Sequence, residues 1–218
     1  MRSARIRREG HFFARPPRAD LKAILAAGRE VRVTNPNGTD LVVRVEARPI
    51  YVSDGVISED KARQGGAATQ VWLPAGEVYL VPVAGTAAGT VVADRMLYEN
   101  KVVESLTMTF KAGKITSMKA KRNAERFQAT YEAAGARKDE FAFIDFGINS
   151  SVKSAKGLLS FIPAGMVTIG IGGNVWAGGD NRVPFGTALN LPGSTATVDG
   201  VTFIENGRLN LPQAAAAR

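Results

Sequence analysis

Between Val31 and Ile204 the apolar residues recur in short, β-branched or alternating runs, each closed by a tight-turn dipeptide. That punctuation restricts the chain to a fold made mostly of strands. Val31 and Val33, then Leu41, Val43 and Val45, flank Asn35-Pro36-Asn37-Gly38 and read as a hairpin. Strand-like runs follow at Gln70 to Leu73, Val78 to Val83, Thr90 to Ala93, Ser105 to Phe110 and Lys114 to Lys119, the last two joined by Ala112-Gly113. Phe141 to Phe146, Met166 to Ile171 and Thr195 to Ile204 continue the pattern. Helical spacing is confined to two places. Leu21, Ile24 and Leu25 follow Asp20 as a cap and precede the stop at Gly28, and Ala124, Phe127 and Tyr131 lie between Asn123 and Gly135. Residues 53 to 69 are polar and aperiodic, and read as a surface loop. No repeat or linker divides the chain. The expected architecture is therefore one β-rich α+β domain over residues 19–212, with mixed or antiparallel sheets and two main helices. A basic arm at 1–18 precedes it, and an Ala-rich tail at 213–218 follows.

The side chains missing from this sequence exclude several chemistries. It has no cysteine, so neither disulfides nor thiolate metal sites are available, in keeping with a reducing, cytoplasmic setting. Its single histidine, His11, lies in the arm, so no Ser/His/Asp arrangement can be assembled. No apolar run reaches the roughly 20 residues of a membrane span, and the Arg-rich start lacks the apolar stretch of a secretory signal. A net charge of +8 favours an acidic partner, and a nucleic acid, an anionic membrane surface or an acidic peptide would each satisfy that field. Arg2, Arg5, Arg7, Arg8, Arg15 and Arg18 crowd the arm, which Pro16-Pro17 is expected to keep irregular. RRM-type aromatic strings and KH-type clamps are absent, which leaves nucleic-acid binding to that arm alone. Gly170-Ile171-Gly172-Gly173 lacks the spacing of a nucleotide loop and is assigned to turns.

Four stretches are more specific: Pro36-Asn37-Gly38-Thr39-Asp40-Leu41, Leu73-Pro74-Ala75-Gly76-Glu77-Val78, Phe146-Gly147-Ile148-Asn149, and Gly170-Ile171-Gly172-Gly173-Asn174 followed by Gly178-Gly179. In this order, with the Asp199-Gly200 and Asn206-Gly207 turns, they resemble the C-terminal half of the aminopeptidase T (M29) metallopeptidases. Dihydroxypyridine dioxygenases share that fold. The resemblance runs from about Gly28 to Leu209 and implies a groove that once held a substrate main chain beside two metal ions. Glu77 matches the family's first carboxylate. The second glutamate falls at Phe143, the first histidine at Thr168, and the later His-x-Asp pair near Phe185 and Thr187. Asp145, two residues past Phe143, would share its strand face. The resemblance thus implies a scaffold without its metal ligands and with no cofactor.

Glu77 could meet a ligand amide or hold its own turn through backbone N–H groups. Asp145, among Phe141, Phe143, Ile144 and Phe146, needs a basic partner or a pocket, and a structural ion pair is expected. Trp176 and Arg182 flank Gly178-Gly179, a pair suited to clasping a peptide or to plain packing. Trp72, placed in a strand, reads as core. These residues support a non-catalytic, homodimeric peptide-binding protein that presents an acidic precursor peptide to a partner enzyme. It is similar to the truncated M29-like proteins of crocagin-type modified-peptide (RiPP) biosynthesis. The alternatives are a metal-independent enzyme using Glu77 and Asp145 as acid and base, and electrostatic nucleic-acid binding through the arm.

Overall fold

The structure, a computed structural model, describes residues 16–153 and 161–211. The first fifteen residues of the expected arm and the whole of the expected tail lie outside the described residues. Helix α1 spans Pro16–Ala27, so it opens on the proline pair rather than after it. Proline is tolerated in the first helical turn, where no N–H is needed and its φ is already helical. Leu21 and Leu25 of α1 are fully buried, and Gly28 closes the helix by donating its N–H to the Leu25 carbonyl at 3.3 Å.

Thirteen strands follow among the described residues. They are β1 (Glu30–Asn35), β2 (Thr39–Arg44), β3 (Ile50–Ser53), β4 (Glu77–Leu80), β5 (Ala88–Tyr98), β6 (Lys101–Lys111), β7 (Lys114–Lys119), β8 (Phe141–Gly147), β9 (Val167–Gly172), β10 (Gly186–Leu191), β11 (Thr195–Val198), β12 (Val201–Glu205) and β13 (Arg208–Leu209). They form an eight-stranded sheet, β13-β12-β11-β1-β2-β5-β6-β7, and a five-stranded sheet, β10-β9-β8-β4-β3. Every pairing of named strands is antiparallel. One contiguous core lies between the two sheets and includes Val33, Leu41, Val91 and Met108 from the large sheet and Val78, Leu80, Ile144, Phe146 and Ile169 from the small one. The fold is the β-rich α+β domain that the periodicity predicts. Among the described residues no helix is long and apolar enough to cross a membrane.

Local departures from expectation have local causes. Residues 53 to 69 contain helix α2 (Glu59–Gln64) and a 3₁₀ turn (Gly66–Thr69). Helix α2 buries none of its residues, so it leaves no hydrophobic period; the Ser58 hydroxyl caps it by accepting from Lys61 N–H. Helix α3 (Glu125–Ala133) buries Phe127 but has Ala124 at its start. Asn123 is not its cap: it sits at φ 61° and donates from Nδ2 to the Val102 carbonyl at 2.9 Å, tying the turn to β6. Gln70 to Leu73 is irregular rather than strand, while β3 and β10 were not expected from the pattern.

Candidate functional site

The face of the small sheet turned away from the main core carries an unusual row. Reading across all five strands, Tyr51 lies opposite Tyr79, Tyr79 opposite Asp145, Asp145 opposite Thr168, and Thr168 opposite Asn190. Period-two alternation sends Val78, Leu80, Ile144 and Phe146 into the core, and so presents Glu77, Tyr79, Phe143 and Asp145 on the other face. Glu77 pairs in register with Gly147, which makes Asp145 its diagonal neighbour on that face. Within the row Thr168 Oγ1 donates to Asn190 Oδ1 at 2.7 Å, and Tyr79 O–H ties the row to the 3₁₀ turn by donating to the Ala67 carbonyl at 2.7 Å.

Glu77 and Asp145 are both buried, at 7% and 4% exposure, and their carboxyl groups hydrogen-bond to each other. Burial raises Glu77 to about 7, even though the hydrogen bond from Asp145 works in the opposite direction. Burial also raises Asp145 well above the usual carboxylate range, and the neighbouring Glu77 charge adds to the effect. The pair therefore holds a proton more readily than ordinary carboxyls and titrates as a unit. Asp145 Oδ1 is left buried with no hydrogen-bond partner. The expected ion pair at Asp145 is thus absent among the described residues; its partner is a second acid, because the row around it supplies no cation. Glu77 likewise turns toward Asp145 rather than holding its own turn.

Above the pair opens a cavity of about 600 Å³. Its walls are aromatic: Trp176 meets Phe143 edge-on at 4.8 Å and Trp72 edge-on at 5.4 Å, and lies tilted over Tyr79 at 5.7 Å between ring centroids. Each such pair contributes roughly 0.5–1.5 kcal/mol beyond the area buried. Two glycines make the packing possible. A Cβ at Gly170 would stand 2.0 Å from the Phe143 ring, and one at Gly179 would stand 2.1 Å from the Asn174 carboxamide. That carboxamide is buried, donating to the Ala142 carbonyl at 3.1 Å and accepting from Asn181 N–H at 2.9 Å. It fixes the loop that carries Trp176. A second cavity of about 600 Å³ adjoins the first through Trp72, Phe143, Trp176 and Gly186 to Ala188.

Of the residues singled out from sequence, Glu77, Asp145 and Trp176 line the first cavity, and Trp176 and Arg182 line the second. The positions that the sequence resemblance assigns to family ligands lie there too: Phe143, Thr168 and Thr187 at the first cavity, Phe185 at the second. Trp72 is not core. It lies in irregular chain before β4, 42% exposed, and lines both cavities, its backbone N–H donating to Ser53 Oγ at 2.9 Å. Arg95, Leu97 and Tyr98 of β5 complete the rim and were not anticipated. The burial phase of β5 slips from Val91 and Ala93 to Met96, beside Ser105 at φ 51° in β6, which turns Arg95 and Leu97 toward the cavity. A signal was present in Arg95, a charge interrupting an apolar alternation. Among the described residues no group of three or more His, Cys, Asp or Glu side chains is placed to hold a metal ion.

Two antiparallel sheets around one core, with an acid pair beneath a pocket on the smaller sheet, define a metallopeptidase-type α+β scaffold. The chain belongs to the thermophilic metalloprotease (M29) family, whose sequence model matches residues 19–158. Among solved structures it is similar to a 2,5-dihydroxypyridine dioxygenase from Pseudomonas putida KT2440, with a TM-score of 0.71 and 18% identity over 89% of this chain and 58% of that one. It is also similar to AmpT from Thermus thermophilus, with a TM-score of 0.64 and 18% identity over 88% of this chain and 51% of that one. The chain thus spans a little over half the length of these two proteins. No curated protein sequence matches it significantly.

Proposed function

We propose that this chain is a non-catalytic, homodimeric peptide-binding protein on the M29 scaffold. In this reading it holds an acidic precursor peptide for a partner enzyme in the biosynthesis of a modified-peptide natural product, of the crocagin type. The observation that carries the proposal is the floor of the cavity. A hydrolytic metal centre needs several ligands around each ion and an open position for water. At the positions where the resemblance places the family's ligands this chain offers Phe143, Thr168, Phe185 and Thr187, none of them an imidazole or a carboxylate, which leaves only Glu77 and Asp145 on that floor. The residues present do not fit a bound metal. They do suit recognition: aromatic walls supply contact area at low entropic cost, the acid pair can donate and accept hydrogen bonds, and Arg95 and Arg182 give the rim a positive charge.

Fluorescence anisotropy with labelled acidic peptides tests this directly. Saturable binding without turnover of peptide by the isolated protein supports the reading; catalytic turnover by the metal-free protein overturns it. One observation favours a second reading, a metal-independent enzyme. A carboxyl at about 7 beside a second buried acid is matched to acid–base work near neutrality. That reading requires turnover that disappears in Glu77→Gln.

A further inference from the structure

The second half of β5 packs against β10, where Thr187 Oγ1 meets Met96 Sδ at 3.8 Å, and this contact walls the first cavity on that side. Gly186 and Ala188 bring almost no bulk to the same wall, which leaves the space beside them to the cavity. Trp72, Phe143 and Trp176 supply flat apolar surface, and Leu73 and Leu97 continue it to the mouth, exposed at 80% and 44%. The polar groups lie deep, with Glu77, Asp145 and Thr168 all buried. Two hydroxyls of the floor are already engaged as donors, Thr168 to Asn190 Oδ1 and Tyr79 to the Ala67 carbonyl. The acid pair has more acceptor oxygens than protons to donate, and Asp145 Oδ1 is left without a partner. The floor is therefore richer in acceptors than in donors.

These features define an occupant by its chemistry. Its body is flat and apolar, because a ring gains most against other rings, at centroid distances like the 4.8 to 5.7 Å that the walls already use among themselves. Its tip carries an O–H or N–H, which the surplus acceptors of the floor can take. That tip is neutral: an anion would meet the buried acid pair, and a cation would lie in the field of Arg95, which is exposed in the same lining and has no carboxylate partner among the described residues. Among side chains, tyrosine and tryptophan combine a large flat apolar body with a neutral donor at the edge. We propose that the first cavity is a specificity pocket for a tyrosine or tryptophan side chain of the bound peptide. The ring lies among Trp72, Phe143 and Trp176, its O–H or N–H donates to Glu77, and an adjacent acidic residue pairs with Arg95. This rests on the peptide-binding reading above and names the residue pattern that such a peptide carries. Arg182, in the adjoining cavity, offers a second partner to acidic residues.

The probe is a set of fluorescein-labelled acidic peptides that differ at one residue flanked by glutamates, taken in turn as Trp, Tyr, Phe, Leu and Lys, and read by anisotropy. The pocket predicts that Trp or Tyr binds tightest. Phe should lose about tenfold with the donor, and Leu roughly threefold to tenfold more with the ring. Methylating the tryptophan ring nitrogen or the tyrosine oxygen should weaken binding to the level of Phe on the unaltered protein. Glu77→Leu should erase the preference of Trp and Tyr over Phe while Phe binds as before, and Glu77→Gln, which keeps an acceptor, should retain that preference. If Glu77→Leu does not fold, the methylated peptides decide. Equal affinity across the set, or tightest binding by Phe, Leu or Lys, overturns the pocket and leaves peptide binding standing. A set with no binder overturns both. Free indole or p-cresol binding as tightly as the best peptide assigns the cavity to a small aromatic molecule and overturns the proposal.

Discussion

The shared proton of Glu77 and Asp145 makes stability depend on pH in a direction opposite to that of an ordinary salt-bridged acid. Glu77 rises from 4.5 in the unfolded chain to about 7 in the fold. Between those values the folded state holds a proton that the unfolded state has released, so stability is fully present below pH 4.5 and declines as pH climbs through about 7. At about 1.36 kcal/mol per pH unit, the loss across this window is about 3 kcal/mol. Asp145 is raised as well, and contributes with the same sign. Glu77→Gln removes the titrating group while keeping a hydrogen-bonding side chain of the same length. Urea unfolding at pH 5, 6, 7 and 8 should therefore show the unaltered protein losing several tenths of its stability toward pH 8, with Glu77→Gln declining much less and surpassing it at pH 8. A flat profile for the unaltered protein would refute the argument, as would an equally steep decline in Glu77→Gln.

Two other substitutions probe the walls and the rim. Gly170→Ala sets a methyl group against the Phe143 ring edge, and displacing that ring should cost ~1–3 kcal/mol in chemical denaturation and disturb the near-ultraviolet signal of Trp176. Arg95→Glu with Arg182→Glu should weaken acidic-peptide binding by about tenfold at low salt, and the difference from the unaltered protein should shrink at high salt.

What could be read from the sequence was whatever depends on local alternation. β7 lies where the pattern put it, and the β1–β2 hairpin forms around Asn35-Pro36-Asn37-Gly38. Strand β10 was not legible, because Gly186, Ala188 and Asn190 face the cavity while Leu189 and Leu191 alone enter the core, leaving too few apolar residues to mark a period. Within the site, Glu77 and Trp176 could be singled out by chemistry and motif. That Asp145 would find an acid for a partner depended on the register between β4 and β8, a long-range pairing that no local pattern encodes. Trp72 misled for a related reason. Its run resembles a strand, but Ser53 Oγ accepts the Trp72 N–H, so this stretch forms the cavity wall instead of a ladder.

The charge state of the floor also sets when an acidic ligand is welcome. At pH 6 Glu77 is mostly protonated, burial favours the neutral form of Asp145, and the Tyr79 hydroxyl beside them is held neutral by burial, so the floor carries little charge while Arg95 lies at the rim. Above pH 7 Glu77 ionises in a water-poor site, where a negative charge repels an acidic peptide more strongly than it would at the surface. Binding and proton uptake are therefore coupled, and affinity should fall as pH rises from 6 to 8. The fall has a ceiling, because one titrating group can change affinity by no more than tenfold per pH unit across the window in which it releases its proton. Anisotropy titrations at pH 6 and 8 should show weaker binding at pH 8 for the unaltered protein and nearly equal binding at both for Glu77→Gln. Affinity that rises with pH in the unaltered protein, or falls equally in Glu77→Gln, would show that the ligand does not sense this pair.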